Sequence, residues 1–311
     1  MPNPSVKSSL VACLFLTAAG CSSSSARSSA AAATATDAGT SSVDFRVLAQ
    51  GDWQLDAGSE GYFCVRKTLP KDTWIAGFRP ISPPGTHHTV LSVEGLTGDA
   101  GAPKPDGTEP CEAITLGSVL LGGSGVGTAP YLFPEGVAVK IPAGKQILLN
   151  LHVFNSSTDP ISGTSGIEAL EMDEGAVVHE AELVEAGKIL GLTVPPGAST
   201  QTGTCTLQAD VTVFSVGPHM HRLGTHMMTR AVPAHGSPTT LLDRDYSFDD
   251  QSFDRLAEPV QLHAGDAIEV NCTYENPQAV TVGFGQSTRD EMCFTATYLY
   301  PPLFGGGFCF Q

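Results

Sequence analysis

Ile147-Leu148-Leu149-Asn150-Leu151-His152-Val153-Phe154 follows the turn Pro142-Ala143-Gly144. A short apolar run opened by a turn reads as a strand. The same pattern recurs on both sides of it. Leu207 to Val216 alternates at Ala209, Val211, Val213 and Ser215. Ala267 to Tyr274 follows the turn Ala264-Gly265-Asp266, and Ala279 to Phe284 and Phe294 to Tyr300 complete the set. Helical periodicity is weak. Only Gly166 to Leu190 has a helix-friendly composition, and its acidic residues fit exposed strand faces equally well. The expected fold is all-β: two tandem antiparallel β-sandwich domains of jelly-roll-like build, over residues 43–180 and 181–311. Each is of ordinary size for a sandwich.

Composition agrees. Of 311 residues, 34 are Gly and 22 are Pro, scattered without period, which excludes collagen, coiled coil and helical bundle. The net charge of −16 repels phosphate backbones and argues against a nucleic-acid partner. No apolar run reaches the roughly 18 residues of a membrane-spanning helix.

Residues 1–20 read as an export signal, with Lys7 ahead of the apolar stretch Leu10 to Thr17. Ala18-Ala19-Gly20-Cys21 reads as a lipobox in which Cys21 is lipidated. Residues 21–42, mostly Ser, Ala and Thr, read as a flexible tether, so the only membrane contact is the lipid anchor. The chain is thus expected to be an exported, membrane-anchored lipoprotein of the outer membrane, cell surface or periplasm. Beyond Cys13 and Cys21, six cysteines remain: Cys64, Cys111, Cys205, Cys272, Cys293 and Cys309. An even number in an oxidising compartment favours three disulfides. None forms a C-x-x-C pair, which argues against thiolate zinc or iron–sulfur sites. Gly122 to Gly127 lacks a following helix and reads as a flexible loop rather than a phosphate cradle.

The histidines carry the chemistry. His87-His88 follows Pro83-Pro84-Gly85-Thr86, and adjacent strand residues point to opposite faces, so both reach one metal only if the backbone bends. His152 lies on one strand face with Leu148, Asn150 and Phe154. His219-Met220-His221 places two imidazoles on one face of a strand, about 6–7 Å apart at the backbone. Met292 offers a thioether. Two imidazoles and a thioether form a soft set that selects copper, above all Cu(I), over zinc or magnesium.

These stretches together resemble the copper type II, ascorbate-dependent monooxygenases. The resemblance runs through Tyr62-Phe63-Cys64, Trp74 to Pro80, His87-His88, Leu149 to His152, Pro218 to Gly224, Gly265-Asp266, Cys272-Thr273-Tyr274 and Gly285 to Cys293. It implies two copper ions per chain, one in each domain, across a solvent cleft. His87, His88 and His152 match the copper that stores and relays an electron. His219, His221 and Met292 match the copper at which O2 reacts, and so carry catalysis. The implied reaction hydroxylates a C–H bond of a small molecule, with O2 and electrons from ascorbate or another one-electron donor. The motif spacing suggests the pairs Cys64–Cys111, Cys205–Cys309 and Cys272–Cys293, the last pinning Met292.

The chain departs from the peptide-processing members at three positions. Gly217 stands where they bind a substrate carboxylate with arginine, and Phe294 and Ala296 replace a polar residue and a tyrosine. A neutral or apolar substrate is therefore expected. Arg222, on a regular strand, would point away from His219 and His221. Asn150 replaces a glutamine. The rival readings are a copper-binding lipoprotein without turnover and a Cu,Zn superoxide dismutase; a blue-copper centre is disfavoured, because Cys293, directly beside Met292, cannot share its face on a regular strand and is wanted for a disulfide.

Overall fold

The computed structural model describes residues 44–93, 104–111, 119–125, 127–285, 287–305 and 307–310. The export signal, Cys21 and the tether lie outside them. The strands in chain order are β1 (Arg46–Leu55), β2 (Glu60–Thr68), β3 (Thr73–Ile81), β4 (Thr86–Val93), β5 (Gly107–Pro110), β6 (Val119–Gly125), β7 (Tyr131–Leu132), β8 (Val137–Ile141), β9 (Gln146–Phe154) and β10 (Ile161–Met172). They continue as β11 (His179–Lys188), β12 (Thr193–Val194), β13 (Gly197–Thr206), β14 (Val211–Met220), β15 (Gly224–Val232), β16 (Thr239–Asp245), β17 (Asp254–Leu262), β18 (Ala267–Asn276), β19 (Val282–Gly283), β20 (Cys293–Tyr300) and β21 (Phe308–Phe310). The chain is all-β, as expected. The helix-friendly stretch forms β10, one 3-10 turn at Glu174–Ala176, and β11.

Two hydrophobic clusters form the core. The first gathers Trp53, Ile75, Leu91, Leu149, Leu151 and Ile167 between the strand order β1-β10-β3-β8 and the sheet β5-β2-β9-β4-β6. The second gathers Val184, Val213, Met227, Val270 and Leu299 between β11-β20-β14-β17 and β13-β18-β15-β16. One sheet is continuous across both, because β8 and β11 pair in parallel from Val137↔His179 to Val139↔Ala181. Tyr298 of β20 is buried in the first cluster, and its hydroxyl donates to the Leu121 carbonyl at 2.7 Å. That bond ties β20, which follows Met292, to β6.

The deciding stretch is β9, the middle strand of its sheet. Leu149, Leu151 and Val153 face the core. On its other face Asn150 Nδ2 lies 3.4 Å from the sulfur of Cys111, in the Cys64–Cys111 disulfide. Both faces are covered, so the strand reads as a continuous apolar run instead of alternating. β18 has one such face, and its buried residues alternate from Ile268 through Val270, Cys272 and Tyr274. All three expected disulfides are present.

Gly122 to Gly125 is not a loop. It ends β6, paired with β4. Two of its glycines are set by packing: a Cβ on Gly122 would meet the Tyr298 hydroxyl at 2.9 Å, and one on Gly123 the Thr89 carbonyl at 2.8 Å.

The hairpin of β15 and β16 carries a pH-dependent pair. His226 Nε2 lies 2.8 Å from Asp243 and Nδ1 lies 3.2 Å from Asp245. The hydrogen bond to Asp245, then that to Asp243, raises the His226 pKa. A raised folded pKa stabilises below the unfolded value near 6.5, and that contribution fades as pH rises through the folded value. Solvent screening holds such an exposed pair to at most about 1 kcal/mol. Melting curves should show the wild type ahead of His226→Gln at pH 5.5 by about 1–3 °C, with the gap closing by pH 9. A gap that widens with pH would refute the assignment.

Candidate metal centre

His87 and His88 lie at the start of β4, beside β9. The register runs Thr86↔Val153, then His88↔His152, leaving His87 as the extra residue of a β-bulge. The bulge breaks strict alternation, so His87 and His88 both turn toward His152. The bend that adjacent ligands require is therefore within the ladder, one step after Pro83-Pro84-Gly85. The ligand nitrogens of the three rings lie within 4.8 Å of one another. His87 Nδ1 and His88 Nδ1 are 3.1 Å apart.

His152 shows what the cluster is built to hold. Its Nε2 lies 3.3 Å from a Glu60 carboxylate oxygen, which fixes the N–H on that side. Its Nδ1 then carries the lone pair, and this buried atom has no hydrogen-bond partner among the described residues. Tyr62 stacks on the ring at 4.3 Å, nearly parallel. Burial, then repulsion from His152, lowers the His87 pKa to about 4, and the same two causes hold His88 well below its usual value. Three neutral imidazoles around a shared point, one with an orphaned lone pair, fit a soft cation such as copper.

The second group forms where β14 meets the approach to β20. His219 is paired with Phe294, and the two rings of His219 and His221 lie 5.7 Å apart, nearly perpendicular. His219 Nε2 is 3.3 Å from Met292 Sδ. His221 Nδ1 donates to the Asp290 carbonyl at 3.0 Å, leaving Nε2 as its free ligand atom. Burial, then the neighbouring His219, lowers the His221 pKa to about 4. Met292 is held through its backbone. Tyr274 donates to the Met292 carbonyl at 2.7 Å, and Cys293 is tied to Cys272. Buried Glu291 accepts from the amides of His221 at 3.0 Å and Leu223 at 2.8 Å. Burial raises its pKa to about 7 against the lowering effect of those bonds. Two neutral imidazoles and a thioether on a clamped backbone again fit copper. The disulfide at Cys293 removes the thiolate that a blue-copper centre needs.

The Phe248 ring lies 4.6 Å from His87 and 6.4 Å from His221, so one side chain reaches a histidine of each group. A cavity of about 370 Å³ touches both, with His88 on one side and His219, His221 and Met292 on the other. Phe284, Phe294 and Phe308 make its wall largely apolar. A Cβ on Gly217 would stand 3.0 Å from the Phe253 ring, so Phe253 occupies the space a longer side chain would take. Arg222 departs from expectation. β14 ends at Met220, so strand alternation does not extend to it, and its guanidinium lies 5.7 Å from the centre of the Phe248 ring.

Sequence reading missed Phe248, Gln251 and Glu185. The first two belong to a loop, where no period marks which side chain turns inward. Glu185 looked like one of several surface acids. It lines the cavity in the row Glu185–Ala296–Gly217, next to the row Gly187–Phe294–His219 on adjoining strands. Its Oε2 is out of solvent and has no hydrogen-bond partner among the described residues, and burial raises its pKa to about 7.

Comparison with known proteins supports the same chemistry. Residues 180–311 match the model of the copper type II ascorbate-dependent monooxygenase C-terminal domain. DBH-like monooxygenase protein 1 of Mus musculus is 29% identical over 217 residues, 63% of this chain and 34% of that protein. Dopamine beta-hydroxylase of Rattus norvegicus is 26% identical over 217 residues, 64% of this chain and 34% of that protein. The human dopamine beta-hydroxylase match extends to 80% of this chain at 26% identity, and 45% of that protein. The chain thus spans between a third and a half of the length of these relatives.

Proposed function

We propose, from the match of residues 180–311 to the copper type II ascorbate-dependent monooxygenase C-terminal domain and the likeness to DBH-like monooxygenase protein 1 and dopamine beta-hydroxylase, that this chain is a monooxygenase of that family and hydroxylates a C–H bond of a small, mainly apolar substrate. The overall change is R–H plus O2, two electrons and two protons to R–OH plus water. Ascorbate or another one-electron donor supplies the electrons. In this reading two copper ions are held per chain, one by His87, His88 and His152, the other by His219, His221 and Met292. Bound copper supplies one-electron redox chemistry and a place for O2 to react. The chain's own part is to hold the imidazoles neutral, clamp Met292, and exclude water from the reacting C–H bond. The single observation that carries the reading is the apolar cavity touched by both ligand groups. The test is copper stoichiometry with oxygen uptake against a panel of apolar and aromatic substrates. Copper binding without product-coupled uptake would favour the alternative, a non-catalytic copper-binding lipoprotein.

The cavity wall also bears on substrate charge. Gly217, Phe294 and Ala296 offer a carboxylate no partner, and Glu185 repels one. A buried anion without a partner costs several kcal/mol. Neutral substrates, or those with a basic nitrogen to meet Glu185, are expected to outrun their acid analogues at least about tenfold in kcat/KM. Glu185→Gln should narrow that gap. Preference for the acid form, lost in Arg222→Ala, would show that Arg222 reads a carboxylate and that the cavity reading is wrong.

We further propose export and lipidation at Cys21. Three disulfides support an oxidising compartment. The mass of the N-terminal peptide tests it, and an unprocessed, unlipidated Cys21 would refute it.

A further inference from the structure

Resting on the reading of His219, His221 and Met292 as a copper site, we propose that Gln251 is a positioning residue that holds His219 with Nε2 directed at the metal. Gln251 lies in the loop between β16 and β17. Its Nε2 donates to the Phe248 carbonyl at 3.1 Å, which decides which way the amide faces. The Gln251 Oε1 is thereby placed 2.8 Å from His219 Nδ1. An amide oxygen only accepts, so Nδ1 carries the proton. A neutral imidazole has one N–H, and Nε2 is left with the lone pair, facing Met292 Sδ at 3.3 Å.

The two histidines of the group are held in the same tautomer by different means. His221 leans on the Asp290 main-chain carbonyl, which no substitution at position 290 removes. His219 leans on a side chain, so its support can be deleted. The loop that presents Gln251 is itself fixed. The buried Tyr246 hydroxyl bonds to both the amide and the carbonyl of Met220, the residue between the two histidines. The Asp250 carboxylate accepts from the Ser252 amide at 3.2 Å. The carbonyl that orients Gln251 belongs to Phe248, whose ring packs on His87. One short loop therefore touches both ligand groups, and Gln251 is the point where it reaches a ligand atom's partner nitrogen.

Cu(I) competition titration of the full chain in a His88→Ala background isolates this group, with Cu(II) electron paramagnetic resonance on the same samples. Gln251→Leu removes the acceptor and should weaken Cu(I) binding by about 10–100-fold, with a changed Cu(II) spectrum. Gln251→Glu keeps an acceptor for Nδ1 but gives up the donor that faces the Phe248 carbonyl, so it should bind Cu(I) clearly more tightly than Gln251→Leu while falling short of the parent. Melting curves of each variant separate loss of positioning from loss of fold. Binding by Gln251→Leu as tight as the parent would overturn the proposal. So would equal losses in Leu and Glu variants, since shape rather than the acceptor would then matter. If the parent binds no copper here, the functional reading itself fails. If it binds and Gln251→Leu is silent, only the role of Gln251 fails.

Discussion

Met292→Leu is expected to lower kcat/KM at least about a hundredfold, the upper range for losing even a supporting partner of a metal ligand. Leucine conserves volume, so the loss reports the sulfur. The sulfur stands 3.3 Å from His219 Nε2 and faces the cavity. The thioether would favour Cu(I) in a bound ion, and its removal would leave two imidazoles that favour Cu(II) more. Met292→Ala should be as inactive but less stable. Met292 is 4% exposed, and deleting a buried side chain of that size costs about 2–5 kcal/mol. The clamp from Tyr274 and Cys293 acts on the backbone and survives both changes. Copper per chain and turnover should be measured together. Full loading and full activity in Met292→Leu would remove Met292 from the site.

His88→Ala should produce the converse separation. Copper should fall from two ions to one per chain, with the ion at His219, His221 and Met292 retained. Multiple turnover should fall at least about a hundredfold, because in the proposed reading the missing site is the one that would supply the second electron. A single charge of electrons delivered chemically should still allow part of one turnover. The loss is not one of folding, since His88 is only partly buried and the core residue beside it in β9 is Leu151, not its partner His152. His87→Ala should behave alike but also loosen Phe248, whose ring rests on it. Loss of both copper ions in His88→Ala, or unchanged turnover with one ion missing, would refute the division of labour between the two groups.

Much of this was legible in the chain itself. Strands such as β18 could be read because one buried face imposes a two-residue period. His219 and His221 could be paired because that same period puts i and i+2 together. The disulfides formed as the motif spacing suggested, and Cys293 does anchor Met292's end of β20. The site's other parts depend on register and on loops. His87 and His88 turn toward one candidate metal point only because β4 bulges against β9, and pairing register is a property of two strands together. Arg222 escaped the alternation argument because β14 stops two residues before it.

What the sequence determined by itself was the all-β class, which follows from local period; the six candidate ligands and their soft donor set were named by residue type together with the family resemblance. The tertiary structure alone decided that Phe248 bridges the two groups, that Gln251 sets the His219 tautomer, and that an acid at position 185 faces a cavity rather than water. The physical reason is range. Burial patterns repeat within a few residues of chain, whereas the surroundings of Glu185, Phe248 and Gln251 are made by strands and loops distant in sequence, brought together only when the core closes.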